Sequence, residues 1–139
     1  MKKKIFWAAT VALWIFIFWN SMQNAAESTA LSDSVLNIVG GRELLIRKAA
    51  HFLEFALLGG LVCVNFSWSK PPYRIPYAGA ALIGLLTACC DETIQIFSLG
   101  RSSQLADVWL DFAGYIFGAA MLLVLLAICK KSKHITFFD

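Results

Sequence analysis

Long apolar blocks separated by short polar breaks organise this chain. The blocks cover roughly residues 5–19, 44–68, 77–97 and 107–129. Each approaches the ~20 residues that a helix needs to cross a hydrocarbon core of ~30 Å. None shows the period-two alternation of a membrane β-barrel strand. The pattern predicts an all-α, polytopic integral membrane protein: one domain over residues 1–139, built as a bundle of four transmembrane helices. Lys70-Pro71-Pro72 punctuates the turn between the second and third helices. Before the second helix, Leu31, Val35, Ile38 and Val39 fall on one helical face. Ser28 or Ser32 suits its N-cap and Gly40-Gly41 its end, so a short interfacial helix, or a lid, is expected there.

Composition agrees with a membrane chain. It is 59% hydrophobic, with a mean hydropathy of +0.68, too apolar for a soluble domain of this size. The net charge of +3 is topological in origin. Lys2, Lys3, Lys4, Lys70, Arg74, Lys130, Lys131 and Lys133 flank apolar blocks. With four crossings they all fall on one side, which the positive-inside rule makes cytoplasmic, together with both termini. No basic stripe with interleaved aromatics is present, so nucleic acid is not an expected partner; membrane lipids are. The first block has the basic start of a signal peptide, but Trp14, Phe16, Phe18 and Trp19 and a poor cleavage site favour an anchor. Cys63, Cys89, Cys90 and Cys129 lie in apolar blocks without metal-binding spacing and are expected to act as small buried hydrophobes.

Ionisable residues supply the candidate chemistry. Each costs roughly 2.5–3.5 kcal/mol at the centre of a membrane helix on insertion scales, so an intramembrane cluster is a functional-site candidate by default. Lys48 stands at the outer end of the second helix, with His51 about 4.5 Å and Glu54 about 9 Å deeper. Asp91, Glu92 and Gln95 lie within two turns of the outer end of the third helix, and Asp107 and Asp111 open the fourth. Arg47 and Arg101 sit at the edges. All share one depth, and the inner halves are expected to lack polar groups. Residues three or four apart share a helix face, so each helix directs its set one way, and Gly114 and Gly118 continue the Asp107–Asp111 face as a Gly-x-x-x-Gly approach surface. A polar pocket open to the outside is expected. In it, His51, Glu54, Asp91, Glu92 and Asp107 are candidates for general acid–base work, with Asp107 orienting His51 or helping to hold a metal. Lys48 and Arg101 are candidates for binding an anionic group, and Gln95 and Asp111 for bonds between helices. Alternatively, three carboxylates and the histidine could hold a divalent cation. Ion pairs such as Arg101–Asp107 or Lys48–Asp111 could instead only fix helix register.

The same residues carry a family resemblance. Lys48-Ala49-Ala50-His51-Phe52-Leu53-Glu54-Phe55 followed by Gly59 resembles the second-helix motif of the VanZ-like family. Asp91-Glu92-Thr93-Ile94-Gln95-Ile96-Phe97-Ser98-Leu99-Gly100-Arg101 resembles its second motif, and Asp107-Val108-Trp109-Leu110-Asp111-Phe112-Ala113-Gly114 its third. Ser21-Met22-Gln23 is similar to the family's Ser-x-Gln turn. The likeness runs from about residue 20 to 125. Leu99 stands where the family often has Pro, and Asp111 where Asn is frequent. The resemblance implies a small multi-pass protein of the bacterial plasma membrane and cell envelope, in a family whose namesake is associated with low-level resistance to teicoplanin, an acylated glycopeptide. A lipid-linked cell-wall precursor or a lipoglycopeptide is then the candidate ligand. An enzyme acting on it and a non-catalytic module binding it are the two function classes that remain open. A transporter is disfavoured by the missing inner charges.

Overall fold

A computed structural model describes residues 2–23, 43–67, 77–98 and 104–135. These residues form α1 (Lys2–Met22), α2 (Glu43–Ser67), α3 (Tyr77–Ile96) and α4 (Leu105–Ile135), with no strand among them. All four are long and apolar enough to cross a membrane. The expected interfacial helix near residues 31–39, the Lys70–Pro72 turn and Arg101 lie outside the described residues. Helix α4 runs past the apolar stretch that ends at Cys129. Lysine is a good helix former, so Lys130 and Lys131 continue the helix into the polar region instead of stopping it.

Side-chain contacts give the topology. Asn65 on α2 donates to Thr10 on α1 (2.8 Å), and Asn20 on α1 to Glu54 on α2 (2.9 Å), so these helices are antiparallel. Trp14 of α1 meets Thr87 of α3, and Ser21 meets Asp91, so those two run parallel. Tyr115 of α4 donates to the Ala80 carbonyl of α3 at 2.8 Å. The bundle alternates up and down, with one end holding Lys3 and Lys4 and the other the acidic residues.

The tightest seam joins α2 and α4, which are parallel and not consecutive; α2 packs far less on α3, its successor in sequence. Glycine permits the approach. A Cβ on Gly114 would meet the Phe52 carbonyl oxygen at 2.5 Å, and one on Gly118 would collide with that of Ala56. Gly59 on α2 answers them against the Tyr115 backbone. The expected Gly-x-x-x-Gly surface is therefore in use, and its partner is α2.

Burial does not sort residues by polarity as it does in a soluble protein. Leu53, Leu57, Leu82, Leu86 and Ile116 are exposed, whereas Thr10, Ser21, Asn65, Thr87, Asp91, Glu92, Gln95 and Asp111 are buried. Lipid solvates the former as well as a protein core does, so the interior has room for polar groups that bond across helices beside apolar ones such as Phe55, Leu58 and Ile17. This corrects two expectations. Cys89, Cys90 and Cys129 are exposed and Cys63 only partly buried, because a thiol gains nothing by avoiding lipid. The half of the bundle away from the acidic residues is not free of polar groups either: the Thr10–Asn65 and Trp14–Thr87 pairs lie there. They are neutral, so counting charges does not reveal them.

Candidate functional site

The acidic end gathers the C-terminal turns of α1 and α3 and the N-terminal turns of α2 and α4. Asp91 is fully buried. Its Oδ1 accepts from Ser21 Oγ at 2.6 Å and its Oδ2 from Gln95 Nε2 at 3.0 Å. Gln95 sits one turn beyond Asp91, so this bond stays within α3, where a bond between helices was expected. His51 Nδ1 lies 3.8 Å from Asp91 Oδ2 and 4.0 Å from Glu54 Oε2. Glu54 in turn accepts from Asn20 Nδ2. One imidazole thus stands between carboxylates from two helices, each with a donor from α1.

Lys48 pairs with Asp107 across the α2–α4 seam. The pair is partly exposed, in keeping with its place at the mouth. Sequence spacing suggested Lys48–Asp111 and Arg101–Asp107 as pairs, and Asp107 as the group orienting His51. The structure pairs Lys48 with Asp107, and the groups beside His51 are Asp91 and Glu54; the Arg101–Asp107 pair lies outside the described residues. The parallel packing of α2 on α4 decides this, because it sets Lys48 level with the first turn of α4.

Asp111, one turn deeper, is 2% exposed. His51, Asp91 and Asp111 each bring one nitrogen or oxygen atom to within 4.8 Å of the others. Beside them is a small cleft of about 40 Å³ lined by Arg47, Lys48, His51, Gln95, Asp107, Leu110 and Asp111. A site that admits one water needs ~10–15 Å³ on this measure, so the cleft has room for a few waters or an ion, and a larger ligand would meet it at the mouth.

Glu92 is buried but does not line the cleft. Its Oε1 accepts the backbone N–H of Gln104 at 2.7 Å, next to the first turn of α4. Helix N-termini present unsatisfied N–H groups and positive potential, so this carboxylate ties the end of α3 to the start of α4. Ser98, just past α3, ties the same end to α1 by donating to the Ser21 carbonyl at 2.8 Å.

The cluster therefore brings together Lys48, His51, Glu54, Asp91, Gln95, Asp107 and Asp111, and leaves Glu92 one step aside. Asn20 and Ser21 are the residues that sequence reasoning missed. The Ser21-Met22-Gln23 turn was the available signal, but polar residues where a first helix ends look like ordinary loop residues.

Comparison with curated proteins and with solved structures returned no match. The family model described as VanZ/LLP1 matches residues 6–127, a stretch that enters all four helices and includes every residue of the cluster. The chain belongs to the VanZ/LLP1 family.

Proposed function

We propose that the acidic end faces outward from a bacterial plasma membrane and acts on an amphiphile there, a lipid-linked cell-wall precursor or a lipoglycopeptide of the teicoplanin type. The observation that carries this reading is the placement of His51, 3.8 Å from a buried Asp91 and beside a cleft rimmed by Arg47 and Lys48. The rim cations, with Arg101, would hold an anionic head group. His51, held between Asp91 and Glu54, would move the proton in a general acid–base step. Asp107 keeps Lys48 at the mouth. An apolar groove of about 330 Å³ along α2 and α4, lined by residues such as Leu57, Gly60, Phe117 and Met121, suits the acyl tail of such a ligand. Its volume falls in the range of roughly 300–1,000 Å³ typical of small-molecule sites.

A second reading has its own support. Asn20, Ser21, Gln95 and Gln104 already donate to the carboxylates, as a network that joins helices or holds a ligand without chemistry would require. Susceptibility separates the readings. Wild type and His51→Gln, at matched membrane levels in a Gram-positive host, are challenged with teicoplanin and vancomycin. Protection against teicoplanin by wild type but not by the variant supports the first reading. Equal protection by both assigns the site to binding or structure, and protection by neither rejects the antibiotic as ligand.

A further inference from the structure

We infer that His51, Asp91 and Asp111 form a binding site for one divalent transition-metal cation of the zinc or manganese class. Three observations converge. The first is the ligand set: one imidazole nitrogen and two carboxylate oxygens, from α2, α3 and α4, lie within 4.8 Å of one another. Atoms sharing an ion at about 2.0–2.2 Å stand at most about 4.4 Å apart, so modest side-chain rotations close the set.

The second is Asp111 itself. It is 2% exposed and lines the cleft, and among the described residues no hydrogen bond or ion pair engages it. A carboxylate buried in a membrane interior without a donor is costly unless it takes up a proton or positive charge is supplied. The neighbouring groups supply little of that charge: Asp91, Glu54, Glu92 and Asp107 are acidic, Lys48 is already paired with Asp107, and Arg47, which lines the same cleft, makes no ion pair with Asp111. A cation between Asp111, Asp91 and His51 neutralises the cluster where its negative charge is densest.

The third is the support around the set. Ser21 and Gln95 both donate to Asp91 and fix its carboxylate, the outer-shell arrangement that orients metal ligands. The adjoining cleft of about 40 Å³ leaves room for water at the remaining coordination positions. A mixed nitrogen–oxygen set favours zinc or manganese over magnesium and calcium, which take oxygen ligands. The inference deepens the reading of this cluster, but it does not depend on what the protein acts upon, and metal binding and antibiotic protection fail separately.

The test uses the full chain in detergent with a tag that contains no histidine, stripped with a chelator and titrated with zinc, manganese and cobalt, with magnesium as control. Calorimetry is expected to show one equivalent of transition metal per chain and weak or no magnesium binding. Bound metal should also raise the melting temperature, as any ligand of the folded state does. Asp111→Asn and His51→Gln should each weaken binding by more than roughly tenfold, and Ser21→Ala by roughly tenfold. Cys129→Ser and His134→Gln should leave it unchanged. The cobalt spectrum of wild type reads the ligands without any variant. Weak ligand-field bands without thiolate charge transfer are expected, and a thiolate band would place the metal on the cysteines and overturn the assignment. Absence of saturable binding, or equal binding by wild type, Asp111→Asn and His51→Gln, overturns it as well.

Discussion

The bundle contains two polar layers, and they solve different problems. Toward the basic end, Asn65 bonds to Thr10 and Trp14 to Thr87. Each pair is neutral and joins two helices. At the acidic end, Asp91 alone takes donors from α1 and α3, and His51, Glu54, Asp107, Asp111 and Lys48 crowd around it. Joining helices requires only the first kind of layer; bonds of that sort average about 0.6 kcal/mol in membranes. The second concentrates negative charge beyond what its described cations balance, at a much higher desolvation cost. The contrast separates the groups that hold the fold from those proposed above to do chemistry or bind a ligand.

The largest expected effect removes both layers together. Gly118→Leu would drive a side chain into the Ala56 carbonyl and part α2 from α4. Overpacking of a side chain costs roughly 1–3 kcal/mol and more when backbone must move. The protein should lose its monodisperse peak in size-exclusion chromatography, and an unchanged peak and melting temperature would show that the seam is looser than described. Next comes Asp91→Ala, which strands the Ser21 and Gln95 donors. Each buried donor left unsatisfied costs roughly 1–3 kcal/mol, so thermal unfolding should shift down clearly while helicity by circular dichroism stays. His51→Gln tests the contrast from the other side. On the acid–base reading, activity should fall while the melting temperature barely moves. An equal fall in both would make the acidic layer merely structural.

Smaller effects sharpen the difference. Asn65→Leu deletes a neutral tie, and a loss of about 0.6 kcal/mol is expected, with function intact at matched membrane levels. A loss of function from Asn65→Leu would show that the two layers are coupled. Smallest is Lys48→Met. Its partner Asp107 is partly exposed and the pair sits at the mouth, so by the behaviour of accessible ion pairs stability should change by no more than about 1 kcal/mol. Binding of an anionic amphiphile, followed by its displacement from the purified protein, should weaken more than stability does.

Much of this was legible in the chain. Block length determined the four helices, because a membrane sets a minimum run of apolar residues and allows no charge within it to go unused. Counting at a fixed rise per residue placed Lys48, His51, Glu54, Asp91, Gln95, Asp107 and Asp111 at one depth. The spacing of Gly114 and Gly118 marked a face for close approach. What the chain did not reveal was who meets whom. Periodicity gives the direction of a side chain on its own helix, but the partner depends on how helices are arranged around the bundle axis. That arrangement set α2 against α4 instead of α3, gave Asp107 to Lys48, and left Asp111 facing His51 and Asp91. It also drew Asn20 and Ser21 of α1 into the cluster and turned Glu92 toward the start of α4. Depth is a one-dimensional property that the order of residues carries; contact across the bundle depends on all the helices at once, and only the tertiary structure decides it.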